Sequence, residues 1–151
     1  RLERKCMIRE AGPEEITREL MGVRFNLRKG DYICLARSRF SSCSLRDTLA
    51  GFSDAFAARE WLVANIKGLG YKEASHFLRN IGLGGDLAIL DRHILKNLAQ
   101  LGVIDEVPAS PSKKLYLEIE KKMIDFSREA KIPMPHLDLL LWYKEAGEVF
   151  K

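Results

Sequence analysis

Cysteine is scarce: Cys6, Cys34 and Cys43 are the only three in 151 residues. They stand far apart with no Cys-x-x-Cys pair, which excludes a disulfide scaffold and the usual zinc patterns. A reduced, intracellular protein is the simplest expectation from that usage. No apolar run is long enough to cross a bilayer as a helix, and no signal peptide is visible. Strand-like alternation, internal repeats and low-complexity segments are lacking too, which leaves an all-α reading of seven or eight helices. Neither sign of charge dominates. The 25 lysines and arginines exceed the 21 aspartates and glutamates by only four, and the isoelectric point is near 9.0. Such a balance favours an anionic partner only mildly. Position 1 is Arg1 and not methionine, so a further N-terminal part of the domain is expected.

What is present is helix punctuation. The length suits one domain, residues 1–151, with a sizeable core. Pro13 sits where helices begin, with Glu14 and Glu15 in the first turn, and Gly22 marks a stop. Residues 31–38 read as helix within a basic segment carrying Arg24, Arg28, Lys29, Arg37 and Arg39. Ser44 and Asp54 read as N-caps. Ile94, Leu98 and Leu101 share a face after Asp91. Ser110-Pro111 reads as the cap and first position of a long helix, striped by Leu115, Ile119, Met123 and Phe126. The charges on that helix read as solvated. A last helix is expected from about His136 to Gly147.

The most informative stretch is Ile66 to Leu95. Gly68-Leu69-Gly70 separates two helical patterns in a hairpin of about residues 54–82. Glycines let the main chain approach a partner closely, and the turn exposes backbone N–H groups at a helix N-terminus, which suits a phosphate. Lys72 falls in the first turn of the second helix. The positive end of the helix dipole disfavours protonation there, and an uncharged lysine amine is a nucleophile able to form a Schiff base. Asp91 comes 19 positions later (91 − 72 = 19), with room for the chain to turn its carboxylate back toward that amine.

Together, Gly68-Leu69-Gly70, Lys72, Ala74 and Asp91-x-His93 resemble the motif of the lysine-bearing helix–hairpin–helix DNA glycosylases. More closely, GLGYKEASHFLRNIG, AILDRHIL and LDLLLWYKEAGEVFK are similar to the compact prokaryotic type 2 8-oxoguanine DNA glycosylase/AP lyases. The resemblance implies an all-α glycosylase fold, its helices packed around a cleft beside the hairpin. It implies a monomer in the cytoplasm, at the nucleoid, that excises 8-oxoguanine from duplex DNA and then nicks the strand. Lys72 is then the nucleophile and Asp91 its electrostatic partner, with Gly68, Leu69 and Gly70 on DNA. Trp142, the terminal carboxylate of Lys151, Phe25 and Asp138 are then base-pocket residues. No cofactor is implied beyond a monovalent cation at the DNA-bound hairpin, and three cysteines cannot ligate the iron–sulfur cluster of some related glycosylases.

Each residue also has a plainer reading. Lys72 could be a surface lysine, Asp91 an N-cap, Phe25 and Trp142 core aromatics, and Asp138 a helix-surface carboxylate. His76, Asp91 and His93 lack the spacing of a metal motif, so no metal is expected. The alternative for the whole chain is a non-catalytic helix–hairpin–helix DNA-binding module. A helical protein-interaction domain is a further rival. Neither needs a nucleophile at 72.

Overall fold

Proline, glycine and short polar side chains decide where the helices start and stop. The computed structural model describes residues 2–5 and 7–146. Among them are a 3-10 turn, nine α-helices and no strand. The turn is Glu3–Lys5. The helices are α1 (Met7–Glu10), α2 (Pro13–Glu19), α3 (Asn26–Arg39), α4 (Leu45–Ala50), α5 (Ala55–Asn65), α6 (Tyr71–Asn80), α7 (Arg92–Gln100), α8 (Lys113–Glu129) and α9 (Met134–Ala146). The count exceeds seven or eight because short pieces such as α1 form where no periodic pattern could announce them.

Capping chemistry explains the boundaries. Pro13 opens α2, and the Glu15 carboxylate accepts the amide of Gly12 at 2.8 Å. The Ser44 hydroxyl accepts the amide of Asp47 and Asp54 accepts that of Ala57, as expected of N-caps. Two expectations need correction. α3 begins five residues before Asp31, at Asn26, after Phe25 in a left-handed conformation (φ 61°). α8 is capped by Ser112 and not by Ser110: the Ser112 hydroxyl accepts the amide of Leu115, and Pro111 lies before the helix.

The chain divides into two compact units, residues 1–53 with 61–69, and residues 54–60 with 70–151. In the first, α2 and α3 pack so closely that a Cβ on Gly30 would collide with the Thr17 hydroxyl and the Pro13 carbonyl. Ile16 is fully buried there. Trp61 meets Phe40 and Phe52, with ring centroids 6.4 and 6.1 Å away, and Arg39 lies over its indole.

The second unit holds a core of Leu95, Leu98, Tyr116, Ile119, Met123, Leu137 and Leu141, from α7, α8 and α9. The buried face of α8 is Tyr116, Ile119, Glu120, Met123 and Ser127. It is therefore rotated from the expected stripe, with Leu115 partly exposed and one carboxylate turned inward. Glu120 is 2% exposed and meets Arg59, 1% exposed, through bonds of 2.5 and 2.6 Å. The expectation that the charges of this helix are solvated fails at Glu120.

That buried pair shapes the irregular connector between α6 and α7. Glu120 accepts the amide of Ala88 at 2.9 Å, and the Tyr116 hydroxyl donates to the Ala88 carbonyl at 2.8 Å. Arg79 donates to the carbonyl of Leu87. Buried backbone groups outside helices need such partners, since an unmet one costs about 1–3 kcal/mol. Leu87, Ala88 and Leu90 are buried. The connector is thus held by side chains, and it ends at Asp91.

Candidate active site

Lys72 lies in the first turn of α6 because Gly70, in an extended conformation, starts the helix without a side-chain cap. Its amine sits 3.0 Å from the Glu73 carboxylate, both side chains being about half exposed. Burial alone would raise the Glu73 carboxyl. Hydrogen bonds from Lys72 and from the amides of Glu73 and Gly70 outweigh burial and hold it below the usual range. A carboxylate therefore already meets one hairpin amide.

Asp91 is the N-cap of α7, as its position before the helix suggests. Its Oδ1 accepts the amides of His93 and Ile94 at 2.8 and 2.9 Å. Capping fixes the carboxylate where the connector ends.

Lys72 and Asp91 both line one cavity of about 570 Å³, together with His76, Arg79, Asp138 and Trp142. That volume lies within the usual range of small-ligand sites. Trp142 is half-buried. Asp138 is not a helix-surface carboxylate: it is 7% exposed and paired with Arg79. Desolvation, with a smaller push from Asp91, outweighs the Arg79 charge and raises its carboxyl to about 6. Its Oδ1 is buried without a hydrogen-bond partner, in keeping with that direction.

The remaining described candidates are not among the residues that line this cavity. Gly68 and Gly70 are exposed and Leu69 is half-buried in the turn between α5 and α6. Gly68 has φ +90°, and a Cβ there would strike the Tyr32 ring. Phe25 is 63% exposed, with the Arg24 guanidinium 4.6 Å above its ring, so it is not a core phenylalanine. Phe25 belongs to the first unit and the cavity to the second. Lys151 lies outside the described residues. No group of three or more metal-ligating side chains occurs among the described residues.

Two partners in the site escaped sequence reasoning. Glu73 is adjacent to Lys72 and reads as an ordinary first-turn acid. Arg79 lies seven residues after Lys72, on the same helix face, and that spacing was the available signal.

An all-helical domain with a glycine hairpin leading into a lysine, and a capping aspartate in the lysine's cavity, defines the class of helix–hairpin–helix DNA glycosylases. The family model described as 8-oxoguanine DNA glycosylase matches residues 2–132, and the chain belongs to that family. The 8-oxoguanine DNA glycosylase/AP lyase of Fusobacterium nucleatum is 48% identical over 99% of this chain and 70% of its own length. That of Methanocaldococcus jannaschii is 46% identical over 91% of this chain and 66% of its own length. The chain thus spans about two thirds of the length of these curated relatives. The Methanocaldococcus jannaschii enzyme in complex with a 15mer DNA containing 8-oxoguanine superposes with a TM-score of 0.85 at 42% identity. That match covers 98% of this chain and 72% of the other. The 8-oxoguanine DNA glycosylase of Thermotoga maritima gives 0.81 at 37% identity, over 98% and 71% of the two chains.

Proposed function

We propose that this chain removes 8-oxoguanine from double-stranded DNA and cleaves the resulting abasic site. The observation that carries the reading is that Lys72, Asp91 and Trp142 line one cavity. The activity named for its relatives supplies the substrate.

The hairpin turn of Gly68, Leu69 and Gly70 grips the DNA backbone, a phosphate displacing the Glu73 carboxylate from the Gly70 amide, and the damaged nucleotide leaves the stack at a cost of a few kcal/mol. The backbone carbonyls of the turn would hold a monovalent cation, which would supply positive charge to a phosphate. Trp142 stacks on the base. Asp138, whose carboxylate pairs with Arg79, lines the same pocket.

As the glycosidic bond lengthens, positive charge grows on the sugar and the Asp91 carboxylate stabilises it. Lys72, after giving up one proton to water, attacks C1′ through its amine nitrogen. The base leaves with the bond's electron pair and takes up a proton. The C1′–O4′ bond then breaks, O4′ keeping the electron pair and taking one proton from the nitrogen, which leaves a protonated imine to C1′. Loss of a C2′ proton then expels the 3′ phosphate by β-elimination, and water releases the lysine. The enzyme acts in this reading as a cytoplasmic monomer. No helix among the described residues is long and apolar enough to cross a membrane.

Borohydride trapping on an 8-oxoguanine duplex tests the proposal. Wild type should give a covalent adduct and Lys72→Gln none. No adduct from wild type rejects the lyase and leaves a DNA-binding module. An adduct that survives in Lys72→Gln moves the nucleophile to another residue.

A further inference from the structure

The proposed chemistry uses Lys72, Asp91 and Trp142 but not the guanidinium lying among them. Arg79 is two turns after Lys72 on α6. Its Nη1 donates to Oδ2 of Asp138, and its Nη2 donates to the carbonyl of Leu87. Asp138 stands one turn before Trp142 on α9. Leu87 opens the connector that closes on Asp91. Each element bonded to this one side chain therefore carries one of the three groups.

The pair is well shielded, with the Arg79 side chain 17% exposed and that of Asp138 9% exposed. It is also incompletely satisfied, since Arg79 Nε and Asp138 Oδ1 are buried without partners. A buried, under-bonded ion pair is a poor device for stability, because desolvation offsets much of its attraction. Its geometry is better explained by what it holds in place. A guanidinium can bond in two directions at once from a rigid plane, which a lysine ammonium on a flexible stem does poorly.

We infer that Arg79 is a positioning residue, tying α6, the 87–90 connector and α9 together so that Lys72, Asp91 and Trp142 keep their register around the cavity. The inference rests on the proposed roles of Lys72 and Asp91. It makes no claim that Arg79 touches the reacting atoms.

The test compares wild type, Arg79→Lys, Arg79→Gln and Asp138→Asn, with Met123→Ala as a reference variant destabilised at a core residue that does not line the cavity. Three quantities are measured on an 8-oxoguanine duplex: affinity, the single-turnover rate of base release, and the rate of borohydride trapping. Single-turnover rates count only competent molecules, so a lowered folded fraction does not mimic the effect. Both Arg79 variants should bind DNA as wild type does while their rate constants fall about 10- to 100-fold, as expected when reacting groups are misplaced by about an ångström. Asp138→Asn should fall in the same direction, and Met123→Ala should keep the wild-type rate despite a lower melting temperature. If Arg79→Gln does not fold, Arg79→Lys carries the test. Wild-type rates in the Arg79 variants, or an equal loss in Met123→Ala, overturn the inference. A wild type that forms no adduct instead overturns the functional reading, and this one with it.

Discussion

Asp91 holds the amide of Ile94 at 2.9 Å with the same oxygen that takes the amide of His93. The cap therefore uses Oδ1 alone, and the second oxygen is not needed for it. Capping and catalysis can accordingly be separated. Asparagine caps as well as aspartate but carries no charge, so Asp91→Asn should stay within about 0.5 kcal/mol of wild-type stability. Its single-turnover base release should fall about 100-fold or more, the usual cost of removing one electrostatic stabiliser. Asp91→Ala loses both functions and should also unfold about 1 kcal/mol more easily. Denaturant titration beside single-turnover kinetics checks both. Full activity in Asp91→Asn would reduce this residue to a cap.

Asp138 sets a pH dependence of unusual sign. Its carboxyl is raised from 3.8 to about 6, chiefly by desolvation. Between those values the folded state binds more protons than the unfolded state, so this group makes stability fall as pH rises. Relative to Asp138→Asn, wild type should lose up to about 3 kcal/mol between pH 4 and pH 7, since one pKa unit is worth about 1.4 kcal/mol. The difference between the two proteins isolates the effect from Glu60, Glu73 and Glu145, whose carboxyls are lowered and act in the opposite sense. Melting curves of both proteins at the two pH values check this. A constant difference between them would mean that folding leaves the Asp138 carboxyl at its ordinary value.

Local chemistry in this chain was legible, and long-range pairing was not. The hairpin follows from two glycines between helical patterns, and the start of α7 follows from a short acid before an apolar face. Ser110 and Ser112 are equally good caps on paper. Only the fold decides between them. Phe25 reads equally well as core or pocket until its exposure is known. The inward turn of Glu120 has no local signature, because its partner Arg59 lies 61 residues away. Arg79 looks like an ordinary basic residue near a helix end. Its bonds to Asp138 and Leu87 exist only once three elements have met.

The Arg59–Glu120 pair should be costly to break from one side. Glu120 holds Arg59 through both oxygens and Ala88 through one of them, while Arg59 also donates to the Ser75 hydroxyl at 3.1 Å. Phe56, Tyr71 and Tyr116 surround the guanidinium, with ring centroids 5.4, 5.2 and 5.7 Å away. Glu120→Leu leaves that cation buried and the Ala88 amide unmet. A loss of about 3–5 kcal/mol is expected. Arg59→Met alone should cost a similar amount, by stranding the carboxylate. The double variant Arg59→Met/Glu120→Leu should lose clearly less than the two singles added together, because no buried charge remains. Urea denaturation of the four proteins measures the coupling. Additive losses would show that the two side chains contribute independently.

Gly68 gives the sharpest test of the hairpin. Its φ of +90° is unfavourable for any residue with a Cβ, and that Cβ would meet the side chain of Tyr32. Gly68→Ala should therefore cost at least about 1 kcal/mol of stability. Adding Tyr32→Ser should recover the part due to collision but not the part due to backbone strain. If the turn binds a phosphate, the single variant should also weaken DNA binding. In that case the turn contacts phosphate through uncharged amides, so affinity should fall while the log–log salt slope, about 0.9 for each phosphate that a lysine or arginine neutralises, stays near the wild-type value. Arg46, on α4, is exposed. As Arg46→Ala it serves as a reference for the loss of one positive charge without a change in the turn. Fluorescence anisotropy across a salt series measures affinity and slope together. A Gly68→Ala protein that is less stable yet keeps the wild-type affinity would take the hairpin out of the DNA interface, leaving its two glycines as packing residues.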